Sequence, residues 1–306
     1  MTISAKVLAD SLSPNDIRLT TFQVTCHRFV LAEVNTHRVF SRNWRSSRAV
    51  PVKKLIEEVR ANPAMPVRWG SNKPGMQAGE ELSGQALIEV QQVWRAAATT
   101  AAHFADGLMQ SGLAKEVANR VIEPFLYVHG VITSTEWDNF YRLRRHADAQ
   151  PEIHALADAM HEAQGNSMPV PMERDAWHLP YVNINMEVAP LAVKLGWEAA
   201  NLLGRLLSAA RCARVSYALH DDTSPHVDAD KALAYRLLTS HHLSPFEHQA
   251  TPDRIIPFYS GDDWDKPNQH RNLVGWRQSR ALFEANYKAS VAAGYDSALV
   301  EEPADV

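Results

Sequence analysis

Residues 36–51 read THRVFSRNWRSSRAVP and combine arginines with short hydroxyl and amide side chains. The arginines are Arg38, Arg42, Arg45 and Arg48, and the polar residues between them are Ser41, Asn43, Ser46 and Ser47. Guanidinium groups present forked donors that fit phosphate oxygens, and hydroxyls and loop amides can complete such an anion site. The segment therefore predicts a phosphate-binding loop, or alternatively a solvent-exposed basic loop that holds no ligand.

The sequence around this segment is locally basic, although the chain as a whole is slightly acidic. The chain has 31 Lys and Arg against 35 Asp and Glu, which gives a net charge of −4. Between residues 28 and 54, seven basic side chains face one acid, Glu33. Local positive charge favours a phosphate-bearing ligand. A nucleic-acid role is less well supported, because the only aromatic residues interleaved for base stacking are Phe40 and Trp44.

Hydrophobic spacing along the chain predicts an α+β fold that is mostly helical, with a small antiparallel or mixed sheet. Residues 20–33 (TTFQVTCHRFVLAE) are rich in β-branched and aromatic side chains and predict a strand. Apolar residues at helical spacing predict helices at 52–61, 80–113, 113–125, 138–145, 151–163, 191–213 and 228–240. The proline-containing segment 167–189 predicts a loop or strand, and the acid-rich last twenty residues are expected to fray. We expect one domain over residues 1–306.

Composition and cysteine content limit the class of protein. The chain is 45% apolar and 22% charged, and its only cysteines are Cys26 and Cys212. Two distant cysteines do not make a disulfide framework or a four-cysteine metal site, and the fourteen histidines show no metal-ligand spacing. The first residues lack the features of a secretion signal, and no apolar run has membrane-spanning length. We therefore expect a cytoplasmic protein without a metal site.

The spacing within residues 37–48 resembles the signature of the flavin-dependent thymidylate synthases. That family carries Arg-His-Arg, seven residues, then Ser and closely another Arg; here His37-Arg38 is followed after seven residues by Ser46-Ser47-Arg48. Asn43 also stands in the family's place. Thr36 replaces the first Arg of the signature, and Trp44 stands where an acid is usual.

Further segments resemble the same family. Residues 213–217 (ARVSY) and 242–248 (HLSPFEH) match two of its motifs. Residues 112–124 (GLAKEVANRVIEP), 139–144 (NFYRLR) and 150–153 (QPEI) match its helical half. The resemblance implies that the flavin is lined by His37, Arg38, Asn43, Asn139, His242, Ser244 and Glu247. It implies that the substrate phosphate is held by Ser46, Ser47, Arg48 and Arg120, and that Arg144 meets the pyrimidine and stabilises its developing charge.

The order of these motifs differs from that of typical members. In the family ARVS and SPFEH come before Arg-His-Arg, whereas here they follow after residue 212. This order is typical of a circular permutation, which is tolerated where the original chain ends lie together at the surface. We expect residues 20–165 to carry the Arg-His-Arg and helical half, 166–207 to be a connector, and 208–290 to carry the other half.

Residues 272–280 (NLVGWRQSR) loosely resemble the Arg-Gln that precedes Arg-His-Arg in the family. One hypothesis is that Gln278 and Arg280 supply substrate-binding groups that are absent at Glu33 and Thr36. The alternative is a last helix with an exposed basic face.

The resemblance implies an FAD-dependent reductive methylation of dUMP at C5, with methylenetetrahydrofolate and NADPH as co-substrates. It implies a homotetramer with shared active sites and a small-molecule nucleotide substrate, without nucleic acid or membrane as partner. Chemistry carried by a cofactor agrees with the lack of a recognisable protein nucleophile. Two alternatives stay open: flavin-dependent C5 modification of UMP or a modified pyrimidine nucleotide, and a non-catalytic homologue that binds flavin or nucleotide.

Overall fold

The computed structural model describes residues 2–215, 226–258 and 261–292, and its centre is a five-stranded sheet. The strands are β1 (Ser4–Leu12), β2 (Arg18–His27), β3 (Ser41–Trp44), β4 (Tyr127–Ser134) and β5 (Val170–Pro171). Their order across the sheet is β3-β4-β2-β1-β5, antiparallel except for the parallel pair of β1 and β5. The predicted mixed sheet is therefore confirmed.

Both faces of the sheet are covered, which explains why β4 reads as an almost continuous buried run. Phe22 and Ile132 pack on one face against the helices that contain Phe140 and Leu156. Val131 points to the other face, where it contacts Cys212. The N-terminal half of the chain and the later helices thus share the sheet between them.

The N-terminal half supplies helices that pack on this sheet and helices that form a separate apolar cluster. They are α1 (Leu31–Val34), α2 (Val52–Ala61), α3 (Gly84–Gln110), α4 (Lys115–Ala118), α5 (Asp138–Arg144) and α6 (Pro151–Gly165). The helix predicted for 113–125 is wrong in part, because α4 is followed by a 3-10 segment, Asn119–Phe125, that contains Pro124. Proline has no N–H to donate, which disfavours a continuous α-helix there. The strand predicted for 20–33 also ends early, since β2 stops at His27 and is followed by α1.

The C-terminal half adds helices and two small two-stranded sheets. The helices are α7 (Ala189–Leu195), α8 (Trp197–Arg214), α9 (Val227–Thr239) and α10 (Ser279–Ala292). Strand β6 (Ala250–Pro252) pairs with β9 (Trp276–Gln278), and β7 (Ile255–Phe258) pairs with β8 (Gly261–Trp264). The helix predicted for 191–213 is divided at Gly196, whose φ of 85° is accessible mainly to glycine.

The described helices and strands together make the predicted α+β fold, of which about half is helical. No helix within the described ranges is both long and apolar enough to cross a membrane. The predicted fraying of the last twenty residues mostly concerns positions outside the described ranges.

Candidate active site

Arg144 lies in the last turn of α5, and three groups on the segment before β3 hold its guanidinium. Its Nε donates to Nε2 of His37 at 3.1 Å, and one terminal nitrogen donates to Oε2 of Glu33 at 3.1 Å. The other terminal nitrogen donates to Oγ1 of Thr36 at 3.3 Å. The side chain remains 21% exposed. The guanidinium is therefore fixed in orientation and still reachable from solvent.

The ring of His37 is buried among aromatic side chains. It stacks on Phe40 at a centroid distance of 5.6 Å and meets the edge of Phe140 at 5.0 Å. Burial lowers the pKa of His37, and the positive charges of Arg144 and Arg42 lower it further. A neutral ring that accepts at Nε2 carries its proton on Nδ1. His37 therefore acts as an acceptor that orients Arg144.

Two of the predicted phosphate-binding residues, Ser47 and Arg120, contact Glu123, which the sequence interpretation missed. Oε1 of Glu123 accepts from the Ser47 hydroxyl at 2.9 Å and forms ion pairs with Arg28 at 2.9 Å and Arg120 at 2.8 Å. Asn119 fixes the same loop by donating to the Ser47 carbonyl oxygen at 2.6 Å. Ser47 and Arg120 are thus brought together, and a carboxylate satisfies both of them.

Ser46 and Arg48 flank Ser47 on this loop. The Ser46 hydroxyl accepts from the backbone N–H of Arg48 at 3.2 Å, and the Arg48 side chain is exposed. Arg45, another arginine of the basic segment, is buried and pairs with both carboxylate oxygens of Glu58 at 2.7 Å. Arg45 is therefore a structural residue, whereas Arg48 is available to a ligand.

Residues 244–248 pack directly on β3. The Asn43 amide nitrogen donates to the Ser244 hydroxyl at 3.3 Å, and the Asn43 oxygen accepts from Nε2 of His248 at 2.9 Å. The Ser244 hydroxyl lies 3.5 Å from Nε2 of His242, whose ring is exposed. The structure thus brings together three of the predicted flavin-lining residues from segments 200 positions apart.

Gln278 and Arg280 lie beside Glu247 rather than beside Thr36. Buried Gln278 donates to the Ser41 hydroxyl at 3.2 Å and to the Glu247 carbonyl oxygen at 3.0 Å. Arg280 forms an ion pair with Glu247. A cavity of about 160 Å³ lies here, lined by Glu247, Arg271, Asn272, Gln278, Arg280 and Glu284. Within the described residues, neither Gln278 nor Arg280 hydrogen-bonds to Glu33 or Thr36.

Charge also links this cavity to the Arg144 site. Burial raises the pKa of Glu247, while Arg280 and Arg42 oppose that rise. Arg42 donates to the carbonyl oxygens of His37 and Phe40, both at 3.1 Å. Because it interacts with both His37 and Glu247, Arg42 connects the two regions electrostatically.

Other predicted positions are not joined to these clusters. The exposed Arg38 side chain makes no hydrogen bond to the rest of the described chain, and Asn139 accepts from Arg142 at 2.9 Å. In the 213–217 motif, Arg214 pairs with Asp230 at 2.7 Å, and Ser216 and Tyr217 lie outside the described residues. No group of three or more His, Cys, Asp or Glu residues suited to a metal ion occurs in the part of the chain that the structure describes.

The chain matches a protein-family model and is similar in part to several solved structures. The family model "Thymidylate synthase complementing protein" matches residues 9–170, just over half of the 306-residue chain. Among curated proteins, none matches the chain. The chain is similar to crystal structures of a UMP/dUMP methylase, PolB from Streptomyces cacaoi, bound with 5-Br UMP or 5-Br dUMP. Each has 19% identity, 53% of this chain covered and a TM-score of 0.43, with 88% and 90% of the respective chains covered.

A third similar structure is that of Thymidylate Synthase X from Helicobacter pylori with FAD and dUMP. Its identity is 17%, with 48% of this chain and 67% of that chain covered and a TM-score of 0.36. The family match includes the segment 36–51, the residues around Glu123 and the Arg144 helix. This chain therefore belongs to the thymidylate synthase complementing protein family, the flavin-dependent thymidylate synthases.

Proposed function

We propose that this chain converts dUMP to dTMP by FAD-dependent reductive methylation at C5, with methylenetetrahydrofolate as one-carbon donor and NADPH as reductant. The observation that carries the proposal is the Arg144–His37 contact within the matched family region. The neutral His37 ring orients the Arg144 guanidinium. A cation held in this way is suited to stabilise a pyrimidine ring that becomes anionic during the reaction.

Arg144 is the residue we assign to the reacting pyrimidine. Its guanidinium is held by contacts with Glu33, His37 and Thr36. Little reorientation is therefore needed when charge develops on the substrate. Arginine stays charged at any physiological pH, which suits a role in charge stabilisation rather than in proton transfer. Arg144 therefore has an electrostatic role in this mechanism.

The nucleotide phosphate is assigned to the loop that faces Glu123. Ser46, Ser47, Arg48 and Arg120 offer hydroxyl and guanidinium donors there. Two arginines can compensate the charge of a phosphate monoester, and their fork geometry matches its oxygens. In this assignment the phosphate competes with the Glu123 carboxylate for Ser47 and Arg120.

FAD is assigned to the surface where residues 242–247 meet β3. Asn43, Ser244 and His242 form one hydrogen-bonded group there, and their amide, hydroxyl and imidazole functions fit the carbonyl oxygens and ring nitrogens of an isoalloxazine. Arg38, His37, Asn139 and Glu247 complete the set that we assign to the cofactor. When bound, FAD supplies the hydride chemistry, while the protein binds, orients and polarises.

We further propose that the chain is a circularly permuted single domain, with residues 166–207 as the connector between its halves. The contacts of Asn43 with Ser244 and His248 support this proposal, because they join the late motif to the early one. We also propose a cytoplasmic homotetramer with active sites shared between subunits. Light scattering of the purified protein measures its mass in solution and tests the tetramer.

A related substrate is the second candidate. Thr36 and Trp44 depart from the family pattern, and Thr36 contacts the guanidinium that we assign to the pyrimidine. A change at this contact can alter which base substituents or sugars are accepted, so UMP or a modified pyrimidine nucleotide is the alternative substrate.

The test is a comparison of dUMP, UMP and dCMP as substrates with FAD, NADPH and methylenetetrahydrofolate. We expect a yellow protein, bleached by NADPH, that forms dTMP from dUMP. If UMP gave product and dUMP did not, the result would favour the second candidate. A protein that cannot be loaded with FAD would refute both and favour a nucleotide-binding role.

A further inference from the structure

A chain of buried hydrogen bonds runs from β1 through the sheet to the surface where we assign FAD. The Ser11 hydroxyl lies 2.8 Å from Nδ1 of His178, and the Thr21 hydroxyl lies 2.7 Å from Nε2 of the same ring. Thr21 and Thr133, paired across β2 and β4, join their hydroxyls at 2.7 Å. Thr133 contacts Nδ1 of His248 at 2.8 Å, and His248 leads to Asn43, Ser244 and His242.

The inner members of this hydrogen-bond series are shielded from water. Thr21, Thr133 and His248 are completely buried and His178 is 1% exposed, whereas Ser244 is partly exposed and the terminal His242 is exposed. Burial lowers the pKa of both His178 and His248 to about 3. Both rings are therefore neutral near pH 7, and each has one nitrogen that donates and one that accepts.

The hydrogen-bond partners determine which nitrogen of each imidazole ring donates and which accepts. The Asn43 oxygen can only accept, so Nε2 of His248 donates and its Nδ1 accepts from the Thr133 hydroxyl. Thr133 must then accept from Thr21, and Thr21 from Nε2 of His178. Nδ1 of His178 in turn accepts from the Ser11 hydroxyl. Each hydrogen bond between Ser11 and Asn43 is therefore donated in the direction of Asn43.

The same direction continues to the surface. The Asn43 amide donates to Ser244, which leaves the Ser244 hydroxyl proton for Nε2 of His242. The opposite end stops at Ser11, which is only 5% exposed and lies among the strands. Because this series of hydrogen bonds ends in the core, it cannot release a net proton to solvent. Its effect is therefore to orient side chains rather than to conduct protons.

We propose that His248 is a positioning residue which, held by Thr133 and donating to the Asn43 oxygen, maintains that orientation of the Asn43 amide and keeps His242 in the tautomer protonated on Nδ1. The exposed imidazole then presents an N–H donor to its ligand. That this ligand is an acceptor atom of FAD rests on the proposed function, whereas the hydrogen-bond direction does not.

The experiment is ¹⁵N NMR of the apoprotein labelled at histidine, with the signals assigned by single His→Gln variants. We expect His248 to be protonated on Nε2 and His242 on Nδ1. A His248 ring protonated on Nδ1 in the wild-type protein overturns the proposal directly.

A matched pair of variants tests the coupling between the core and the surface. Thr133→Ser retains the hydroxyl and should leave both tautomers unchanged, whereas Thr133→Val removes it and should shift His242 toward protonation on Nε2. Because one net hydrogen bond is worth about 1 kcal/mol, FAD affinity should fall about three- to tenfold in Thr133→Val and less than about twofold in Thr133→Ser.

An unchanged His242 tautomer in Thr133→Val would overturn the positioning role, whatever the FAD affinity. Failure of the wild-type protein to form dTMP, with the expected tautomers present, would refute the proposed function and leave the hydrogen-bond direction intact. The two failures can therefore be distinguished.

Discussion

The Nε group of Arg144 donates to Nε2 of His37 at 3.1 Å, although 107 positions separate them in the sequence. The family resemblance assigns Arg144 to the pyrimidine and His37 to the flavin. The contact makes them one unit, in which a buried neutral ring determines where the cation points. This hydrogen-bonded pair therefore connects the substrate and cofactor regions of the proposed site.

Arg144→Ala should retain FAD and lose turnover. Removal of one preorganised electrostatic group typically lowers kcat by about 10²- to 10³-fold, and we expect a loss in that range. Arg144→Lys should be nearly as poor, because an ammonium cannot contact His37, Glu33 and Thr36 in a planar fork. The flavin absorbance of each variant is the control for folding and cofactor binding. Near-normal methylation by Arg144→Ala would contradict the assignment.

Glu123→Gln should tighten the binding of dUMP severalfold. The substitution removes a negative charge from the Ser47 and Arg120 cluster, where we place a dianionic phosphate. Titration calorimetry in low and high salt measures the effect, which should shrink as salt screens the charges.

Glu58→Gln is the matched control for Glu123→Gln. It removes the carboxylate that pairs with Arg45, a residue of the same basic segment to which we give no ligand role, and should leave dUMP affinity nearly unchanged. Weaker dUMP binding in Glu123→Gln would mean that this carboxylate positions Ser47 and Arg120 rather than competing with the phosphate.

The free energy of unfolding should fall as the pH drops below about 6.5. Burial is the largest cause that lowers the pKa of His37, His178 and His248, so each binds protons more weakly in the folded state. Between the unfolded pKa and the depressed folded pKa, the unfolded state holds more protons, and acid favours it by up to about 1.4 kcal/mol per pH unit for each histidine. The pH dependence from these rings fades over about one pH unit above pH 6.5.

Urea unfolding at pH 8.0, 6.5 and 5.5 measures this dependence. His178→Gln should reduce the slope between pH 6.5 and 5.5, because it removes one titrating ring. Equal stability of the wild-type protein at pH 8.0 and 5.5 would contradict the predicted linkage.

The parts of the fold that local sequence determines were predictable. Helices α2, α5, α6 and α9 begin and end within two residues of their predicted bounds, because their apolar spacing repeats within a single element. Strand β1 was missed, since the sequence SAKVLADSL has weak alternation and is specified by its pairing with β2.

Only the motifs of the proposed site could be recognised in the sequence. Ser47 and Arg144 were identified through the resemblance of their motifs to the family, but their acidic partners Glu123 and Glu33 were not. Ser47 and Glu123 are 76 positions apart, and Asn43 and His248 are 205 apart, so no local pattern reveals these contacts. A lone acid within the basic segment was the one signal that could have indicated a role for Glu33.

Gly130→Ala should destabilise the sheet beside the proposed site. Gly130 in β4 faces Trp44 in β3, and a Cβ there would lie 2.1 Å and 2.3 Å from two carbons of the indole ring. Because overpacking of this kind usually costs about 1–3 kcal/mol, we expect a loss in that range, measured by urea unfolding. Gly107→Ala in α3 is the control: its Cβ would meet nothing within 4 Å, and alanine should stabilise the helix by up to about 1 kcal/mol. If Gly130→Ala were as stable as wild type, the indole of Trp44 could not be packed over β4 as the structure has it.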